Sequence, residues 1–243
     1  MDWLHHIEAD GRRIHGLART HADAAVPACD GWTVAGLVGH LGLIHQRAAY
    51  LCRTGDMARP SQKGGQLEPP PADGVVDWAA AWLDEMLARF RATDPDAEMY
   101  SFFPGGGTAG WWQRRMAHET AVHRVDVEQA AGEPVRPVDA DLAIDGVDEV
   151  LEVFLPTFGP RPFGAGETLH LHATDAEGEW NLTLGADAVD VERGHGKGDA
   201  AVRGTASSLY LWLWGRQDLP SLEVFGDASV AASLRTAVSR STA

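Results

Sequence analysis

A glutamate and a histidine, Glu119 and His123, are spaced one helical turn apart near the middle of the chain. In steps of three and four residues, the same helical stripe continues through apolar side chains on both sides, namely Trp112, Met116, Val127 and Ala130. Such a stripe normally faces a protein core, where an unpaired charge is costly. The pair therefore requires partners, and the usual solutions are an ion pair, a shifted pKa or a metal ion.

His40 is the best candidate for a third metal ligand, because it also lies on an apolar helical stripe, between Leu37 and Ile44. Two imidazoles and one carboxylate leave a coordination position free, which is typical of catalytic metal sites. From spacing alone, a surface or core histidine is the commoner outcome, since 11 histidines are scattered along the chain. A zincin-type protease is disfavoured, because His118 and His123 are five residues apart and diverge around the helix.

Two stretches of the chain carry a family resemblance. The first comprises Gly31–Val34, which opens the helix bearing His40, and the later segment His118–Arg124. The second is the segment 202–216, which reads VRGTASSLYLWLWGR. Together they resemble the mycothiol-dependent maleylpyruvate isomerase family of actinobacteria. The resemblance spans nearly the whole chain and makes a metal site at His40, Glu119 and His123 the favoured interpretation.

The resemblance also implies a domain organisation and a fold class. Residues 1–135 are expected to form a DinB-like four-helix bundle that binds the metal. Residues 136–243 are expected to form a smaller α+β domain, related to sterol-carrier folds, with a mainly antiparallel sheet. Gly132, Pro134 and Pro137 mark the boundary between them.

A specific chemistry follows from the resemblance. A metal ion at the three ligands would bind the sulfur of mycothiol, and a metal-bound thiol is deprotonated and nucleophilic. The thiolate would add to the double bond of a cis-enoic diacid such as maleylpyruvate, so that a single bond can rotate before the thiol leaves. Zn is the expected metal, although Fe, Ni or Mn would also fit. Neither Cys29 nor Cys52 is needed as the nucleophile, because the cofactor brings the sulfur.

Arg216 is the candidate catalytic residue of the second domain. It follows Leu209 and Leu213 in steps of four and three, and so ends the apolar stripe of a tryptophan-rich helix predicted over 205–215. An arginine there can orient a substrate carboxylate with two parallel hydrogen bonds. The alternative is a helix C-cap or a structural ion pair. In the family, an arginine at the matching position is implicated in catalysis, which implies that Arg216 holds the acid and stabilises the enolate.

Three functions remain open at this point. The first is a maleylpyruvate isomerase-like cis–trans isomerase. The second is a mycothiol S-transferase, which would use the same activated thiol on an electrophile and release a stable adduct. The third is a non-enzymatic protein that binds a metal or small ligand, favoured if His45 or His118 closes the coordination sphere as a fourth ligand.

Composition agrees with a soluble, cytoplasmic protein of this kind. The chain has 243 residues, of which 44% are hydrophobic, enough for one large or two ordinary domains. Its net charge of −15 argues against nucleic acid and anionic membranes as partners. The two cysteines form no disulfide framework, and neither a signal peptide nor a membrane span is evident. Lys63 and Lys197 are the only lysines, which together with abundant alanine indicates a high-GC genome.

Local patterns predict the elements that must position these residues. The predicted helices cover 2–24, 34–53, 77–92, a segment ending near 131, 139–157, 205–215 and a segment after 227, with loops at 55–74 and 94–108. The predicted strands cover 168–173, 179–184, 188–192, 199–203 and 222–225. His170 and His172 share one face of their strand and resemble a metal pair, but we interpret them as structural or surface residues.

Overall fold

The structure is a computed structural model and describes residues 1–103, 107–159, 161 and 163–241. The chain divides into two compact units, Met1–Arg136 and Pro137–Ala243. Among the described residues, no helix combines the length and apolar character needed to cross a membrane.

The first unit is a helical bundle. Its described residues form α1 (Trp3–His21), α2 (Val34–Thr54), α3 (Val75–Ala92) and α4 (Ala109–Ala130). Helix α1 packs against α3 and α4, and α2 packs against α3. One buried apolar cluster links the helices and consists of Ile14, Leu17, Ala18, Val26, Val34, Leu37, Val38, Leu41, Ala79 and Val127. The predicted four-helix bundle is confirmed.

Capping residues fix the ends of the two helices that carry the candidate ligands. The Thr33 side chain accepts a hydrogen bond from the Gly36 N–H, and Gly55 ends α2 in the left-handed region with φ 63°. Thr108 caps α4 in the same way, by accepting from the Trp111 N–H. Gly132, with φ 68°, follows the end of α4. Helix α1 ends earlier than predicted, at His21.

The segment predicted as a loop over 94–108 contains a short strand pair. Strand β1 (Glu98–Met99) pairs antiparallel with β2 (Gly107–Thr108), whereas residues 104–106 of the prediction lie outside the described part of the chain. Strands of this length are too short to show an alternating pattern in a sequence.

The second unit begins with a long helical stretch. The sequence predicts one helix over 139–157, and the structure has α5 (Ala140–Asp148), a π-helical segment Glu149–Phe154 and α6 (Leu155–Phe158). A π-helical turn interrupts the regular hydrogen bonding but keeps the chain helical, so the apolar periodicity alone does not reveal it.

A five-stranded sheet follows, in the order β5-β4-β3-β6-β7. Its strands are β3 (Glu167–Ala173), β4 (Glu179–Leu184), β5 (Val189–Arg193), β6 (Ala200–Gly204) and β7 (Glu223–Gly226). All neighbours are antiparallel except β3 and β6, which run parallel. Helices α7 (Ala206–Leu213) and α8 (Ala228–Ser241) pack against β3 and β6. The predicted α+β fold with a mainly antiparallel sheet is confirmed.

Candidate metal centre

Helices α2 and α4 bring the three predicted ligands into one cluster, which we call the helical cluster: His40, Glu119 and His123. The Nε2 atoms of His40 and His123 lie 3.2 and 3.4 Å from the same oxygen, Glu119 Oε1. One possible ligand atom from each residue lies within 4.8 Å of the others. The cluster thus joins two helices, and His40 of α2 is 79 positions away from Glu119 of α4 in the sequence.

The helical cluster is open on one side. The side chain of His40 is 36% exposed, whereas those of Glu119 and His123 are 18% and 12% exposed. The half-exposed ring of Trp32 lies edge-on to His40, with ring centroids 5.1 Å apart. A small molecule would therefore reach the cluster from the side of His40 and Trp32.

Asp126 orients His123 and was not identified from the sequence. The His123 Nδ1 lies 2.8 Å from Asp126 Oδ2, and this carboxylate is fully buried. With the Nδ1–H donating to Asp126, Nε2 points towards Glu119. A carboxylate behind a histidine fixes the ring and raises its basicity, as is common around metal ligands. The i, i+3 spacing of His123 and Asp126 on α4 was the signal that could have revealed it.

Arg115 orients the carboxylate of Glu119 from the other side. Its Nη2 donates to Glu119 Oε2 over 2.9 Å, and its side chain is only 2% exposed. Glu119 thus uses one oxygen for Arg115 and turns the other towards both histidines.

The charges in the cluster support one another. Burial would raise the pKa of Glu119, but hydrogen bonds with His123 and His40 and the charge of Arg115 outweigh it and lower the pKa well below its usual value. Burial would likewise lower the pKa of His123, but Asp126 and Glu119 raise it to about 9. Glu119 is therefore ionised at neutral pH.

Neither of the two histidines considered as a fourth ligand belongs to the helical cluster. Among the described residues, that cluster consists of His40, Glu119 and His123 alone. His45 is fully buried, neither of its ring nitrogens has a hydrogen-bond partner in the described structure, and burial lowers its pKa to about 3. The ring of His118 instead packs edge-on against Trp3 at 6.0 Å.

The donor set fits a divalent transition metal. Two imidazole nitrogens and one carboxylate oxygen are common ligands of catalytic Zn²⁺, and they also suit Fe²⁺. Three protein ligands leave a fourth position for an exogenous group, which fits a bound thiol.

Arg216 lies just beyond its helix, as the predicted helix over 205–215 implies. Helix α7 ends at Leu213, two residues earlier than predicted, and Gly215 follows in the left-handed region with φ 73°. The glycine terminates the helix, so Arg216 does not continue the helical stripe of Leu209 and Leu213. Its Nη1 donates to the carbonyl oxygen of Trp214 over 2.6 Å, which resembles the C-cap alternative. The catalytic role of Arg216 stays a prediction.

A second arginine, Arg235 of α8, lies near Arg216. Burial lowers the pKa of Arg235, and the positive charge of Arg216 lowers it further. Its Nη1 is buried and has no hydrogen-bond partner among the described residues. Two neighbouring guanidinium groups with an unused donor favour an anion. This pair could not be predicted from the sequence, because it arises when α8 packs against α7.

Comparisons with known proteins support the family resemblance. Residues 4–128 match the family model of the mycothiol maleylpyruvate isomerase N-terminal domain, and residues 141–233 match that of the MDMPI C-terminal domain. No curated protein sequence matches the chain.

Two solved structures share the fold. A crystal structure of a mutant mycothiol-dependent maleylpyruvate isomerase has a TM-score of 0.63 at 15% identity, over 92% of this chain and 91% of that one. A second crystal structure of a mycothiol-dependent maleylpyruvate isomerase has a TM-score of 0.57 at 16% identity, over 88% of each chain. Because both family models match and together span most of its length, the chain belongs to the mycothiol maleylpyruvate isomerase family.

Proposed function

We propose that this protein is a metal- and mycothiol-dependent enzyme, and specifically a cis–trans isomerase of a maleylpyruvate-like acid. The observation that carries the proposal is the helical cluster, in which His40, Glu119 and His123 converge and leave room for a further ligand. Family membership is the support for proposing mycothiol as the cofactor and isomerisation as the class of reaction.

Each residue around the helical cluster has a distinct task in this proposal. Glu119 and the two histidines hold a divalent ion, for which Zn²⁺ is the first choice and Fe, Ni or Mn the alternatives. When bound, such an ion keeps a coordinated thiol deprotonated near neutral pH. Asp126 holds the ring of His123, and Arg115 holds the carboxylate of Glu119, so the ligands are oriented before any ion arrives.

We assign the acidic group of the substrate to Arg216. Arg235 supports this assignment, because its buried Nη1 is a hydrogen-bond donor without a partner among the described residues. Its positive charge also adds to that of Arg216, which favours an anion there. A guanidinium can hold a carboxylate through two parallel hydrogen bonds and can stabilise negative charge that develops on an enolate. We further propose a cytoplasmic location, which agrees with the lack of a disulfide between Cys29 and Cys52.

The direct test is an assay with mycothiol and maleylpyruvate on untagged, zinc-loaded protein. We expect isomerisation that requires both metal and mycothiol and that is lost in the His40→Ala variant, with His5→Ala as a matched control at an exposed histidine outside the cluster. A stable thiol adduct in place of the isomer would identify an S-transferase. No thiol chemistry at all in a folded, metal-loaded protein would favour a binding protein instead.

Arg216 is tested separately with the variants Arg216→Ala and Arg216→Lys. Loss of a charged hydrogen bond costs roughly 1.5–3 kcal/mol, so we expect turnover of the acidic substrate to fall about 10- to 100-fold in the alanine variant. The lysine variant should recover part of that loss, since it keeps the charge but not the paired geometry. Unchanged turnover in Arg216→Ala would remove it from the reaction.

A further inference from the structure

A second group of possible metal ligands lies on the sheet of the second unit. We call it the sheet cluster; its members are His170, His172, Glu179 and His195. One possible ligand atom from each of the four lies within 4.8 Å of the others. All four lie within a stretch of 26 residues, and none belongs to the helical cluster.

The register of two strands and one loop creates the sheet cluster. His170 and His172 of β3 lie on the face opposite the buried side chains Leu169 and Leu171. Glu179 of β4 is the direct cross-strand partner of His172. His195 follows the end of β5.

The three histidines surround the single carboxylate. Glu179 Oε2 lies 3.2 Å from His170 Nε2 and 2.8 Å from His195 Nδ1, and Oε1 lies 3.3 Å from His172 Nδ1. Ligand atoms bound tetrahedrally at roughly 2.0–2.1 Å from Zn²⁺ are separated by about 3.3 Å. The three nitrogen–oxygen distances are therefore close to the separation of two ligand atoms on a single ion.

Asn181 orients the ring of the most deeply buried member, His170. The Asn181 side-chain nitrogen donates to the Gly194 carbonyl over 2.7 Å, so its oxygen is turned towards His170 Nδ1 at 2.9 Å. Nδ1 then donates to this oxygen, and Nε2 points towards Glu179 Oε2, 3.2 Å away. Nε2 is buried and has no hydrogen bond of good geometry among the described residues. An imidazole nitrogen and a carboxylate oxygen thus lie side by side, as two ligands of one divalent ion would.

Two glycines hold the loop that delivers His195. Gly194 has φ 129°, a conformation that other residues rarely adopt, and its N–H donates to the Glu179 carbonyl over 3.0 Å. A Cβ atom at Gly196 would overlap the side-chain oxygen of Asn181. The loop therefore lies close against β4 on both sides of His195.

Two arginines on the neighbouring strands, Arg203 and Arg193, form ion pairs with acidic residues other than Glu179. Arg203, which pairs with His172 in the strand register, forms an ion pair with Glu223 at 3.3 Å. Arg193, which pairs with Trp180, forms one with Asp148. Glu179 is thus neutralised by the histidines alone or by an ion that they share.

We propose that the sheet cluster is a second metal site, which binds Zn²⁺ or a similar divalent transition ion through His170, His172, Glu179 and His195. With four protein ligands the coordination sphere is closed, so the ion does not take up a substrate. Its role is structural: it ties β3, β4 and the loop after β5 together and stabilises the second unit. The site is independent of the proposed enzymatic function.

The test counts zinc in the untagged full-length protein after chelation, reloading with zinc alone and gel filtration. The first variant is the double substitution His172→Ala/His195→Ala in the sheet cluster, where the native His172 is partly exposed and His195 largely exposed. The second is His123→Ala in the helical cluster. We expect about two zinc ions per chain in the starting protein, one in either variant and none in the combination. His5→Ala/His6→Ala, outside both clusters, is the control and should keep both ions.

A second variant protects the test against a folding defect. Glu179→Gln keeps the shape of the side chain but provides a poorer ligand, and its circular dichroism should match that of the starting protein. We expect at least a tenfold weaker second zinc site in this variant, and chelation should lower its unfolding temperature less than that of the starting protein, because only the zinc of the helical cluster is left to remove. The proposal is overturned if His123→Ala alone removes all zinc, or if Glu179→Gln binds zinc like the starting protein.

Discussion

The two clusters use the same residue types but differ in what surrounds them. The helical cluster has three possible ligands on two helices and one exposed side, at His40. The sheet cluster has four, drawn from two adjacent strands and a glycine-bounded loop. The number of ligands decides the use of a site, because three leave a position for a reacting group whereas four saturate a tetrahedral ion.

The groups behind the histidines differ as well. His123 donates to the buried carboxylate of Asp126, whereas His170 faces the neutral amide of Asn181. A carboxylate raises the basicity of the ring and an amide only orients it, so the helical cluster carries the stronger electrostatic support. We therefore expect catalysis at the helical cluster and a structural, stabilising role for the sheet cluster.

The largest expected effect separates the clusters by activity. His123→Ala removes a ligand and the partner of Asp126, and losing about 4 kcal/mol of transition-state stabilisation corresponds to a rate about 1000-fold lower. His195→Ala should leave the isomerase rate within about twofold, because the sheet cluster takes no part in the reaction. Steady-state rates with saturating mycothiol measure both. An equal loss of isomerase rate in the two variants would contradict the assignment of catalysis to the helical cluster.

The supporting groups are expected to have the next largest effect. Asp126→Asn should weaken metal binding at the helical cluster by about 10- to 100-fold, the range typical for such outer groups. Asn181→Ala should weaken the sheet cluster less, since it removes an orienting amide and not a charge. Competition with a zinc-selective chelator gives both affinities. A larger loss for Asn181→Ala than for Asp126→Asn would reverse the assignment of the stronger support.

Buried histidines outside the clusters predict a pH dependence of stability. His15 of α1 is 4% exposed, and burial followed by the charges of Arg12 and Arg19 lowers its pKa to about 4. Between pH 6.5 and 4 the unfolded chain binds a proton that the folded chain does not, so stability falls as the pH falls. The loss from this one residue is at most about 3 kcal/mol.

The variant His15→Leu tests this dependence. Neither ring nitrogen of His15 has a hydrogen-bond partner in the described structure, so an apolar residue of similar size should be tolerated at pH 8. Urea unfolding at pH 5 and pH 8 should show a stabilisation that is larger at pH 5. Equal effects at both values would mean that His15 is not held neutral by the fold.

The smallest expected effect concerns the cysteines. Burial raises the pKa of Cys52 to about 11, so very little of it is thiolate at neutral pH. Cys52→Ser should therefore leave the isomerase rate unchanged, and iodoacetamide should label Cys52 slowly at pH 7.5, as measured by mass spectrometry. Rapid labelling with loss of activity would mean that the chain supplies its own nucleophile.

The helical cluster could be predicted because its signal is local. Glu119 and His123 are one turn apart on an apolar stripe, and His40 lies on another, so helical periodicity alone places each among apolar side chains. The family resemblance then selected these three residues from the 11 histidines.

The sheet cluster was missed because its signal is not local. His170 and His172 were noticed, but Glu179 joins them through the cross-strand register and His195 through a loop bent at Gly194. Neither can be read from spacing. The end of α7 was predicted two residues late for a related reason, since the helix ends at Leu213, ahead of the left-handed Gly215, although the apolar pattern continues past that point. Most of the remaining element boundaries agree with the prediction to within two residues.

The most direct test of the central claim uses cobalt as a coloured substitute for zinc, in the His172→Ala/His195→Ala background that removes the sheet cluster. The protein is loaded with Co²⁺ and titrated with mycothiol while the near-ultraviolet spectrum is recorded. Our account predicts a thiolate-to-cobalt charge-transfer band that saturates at one thiol per chain and that is absent when His123→Ala is added. Bound cobalt that shows no such band with mycothiol would contradict the claim that the helical cluster is an open, thiol-activating site.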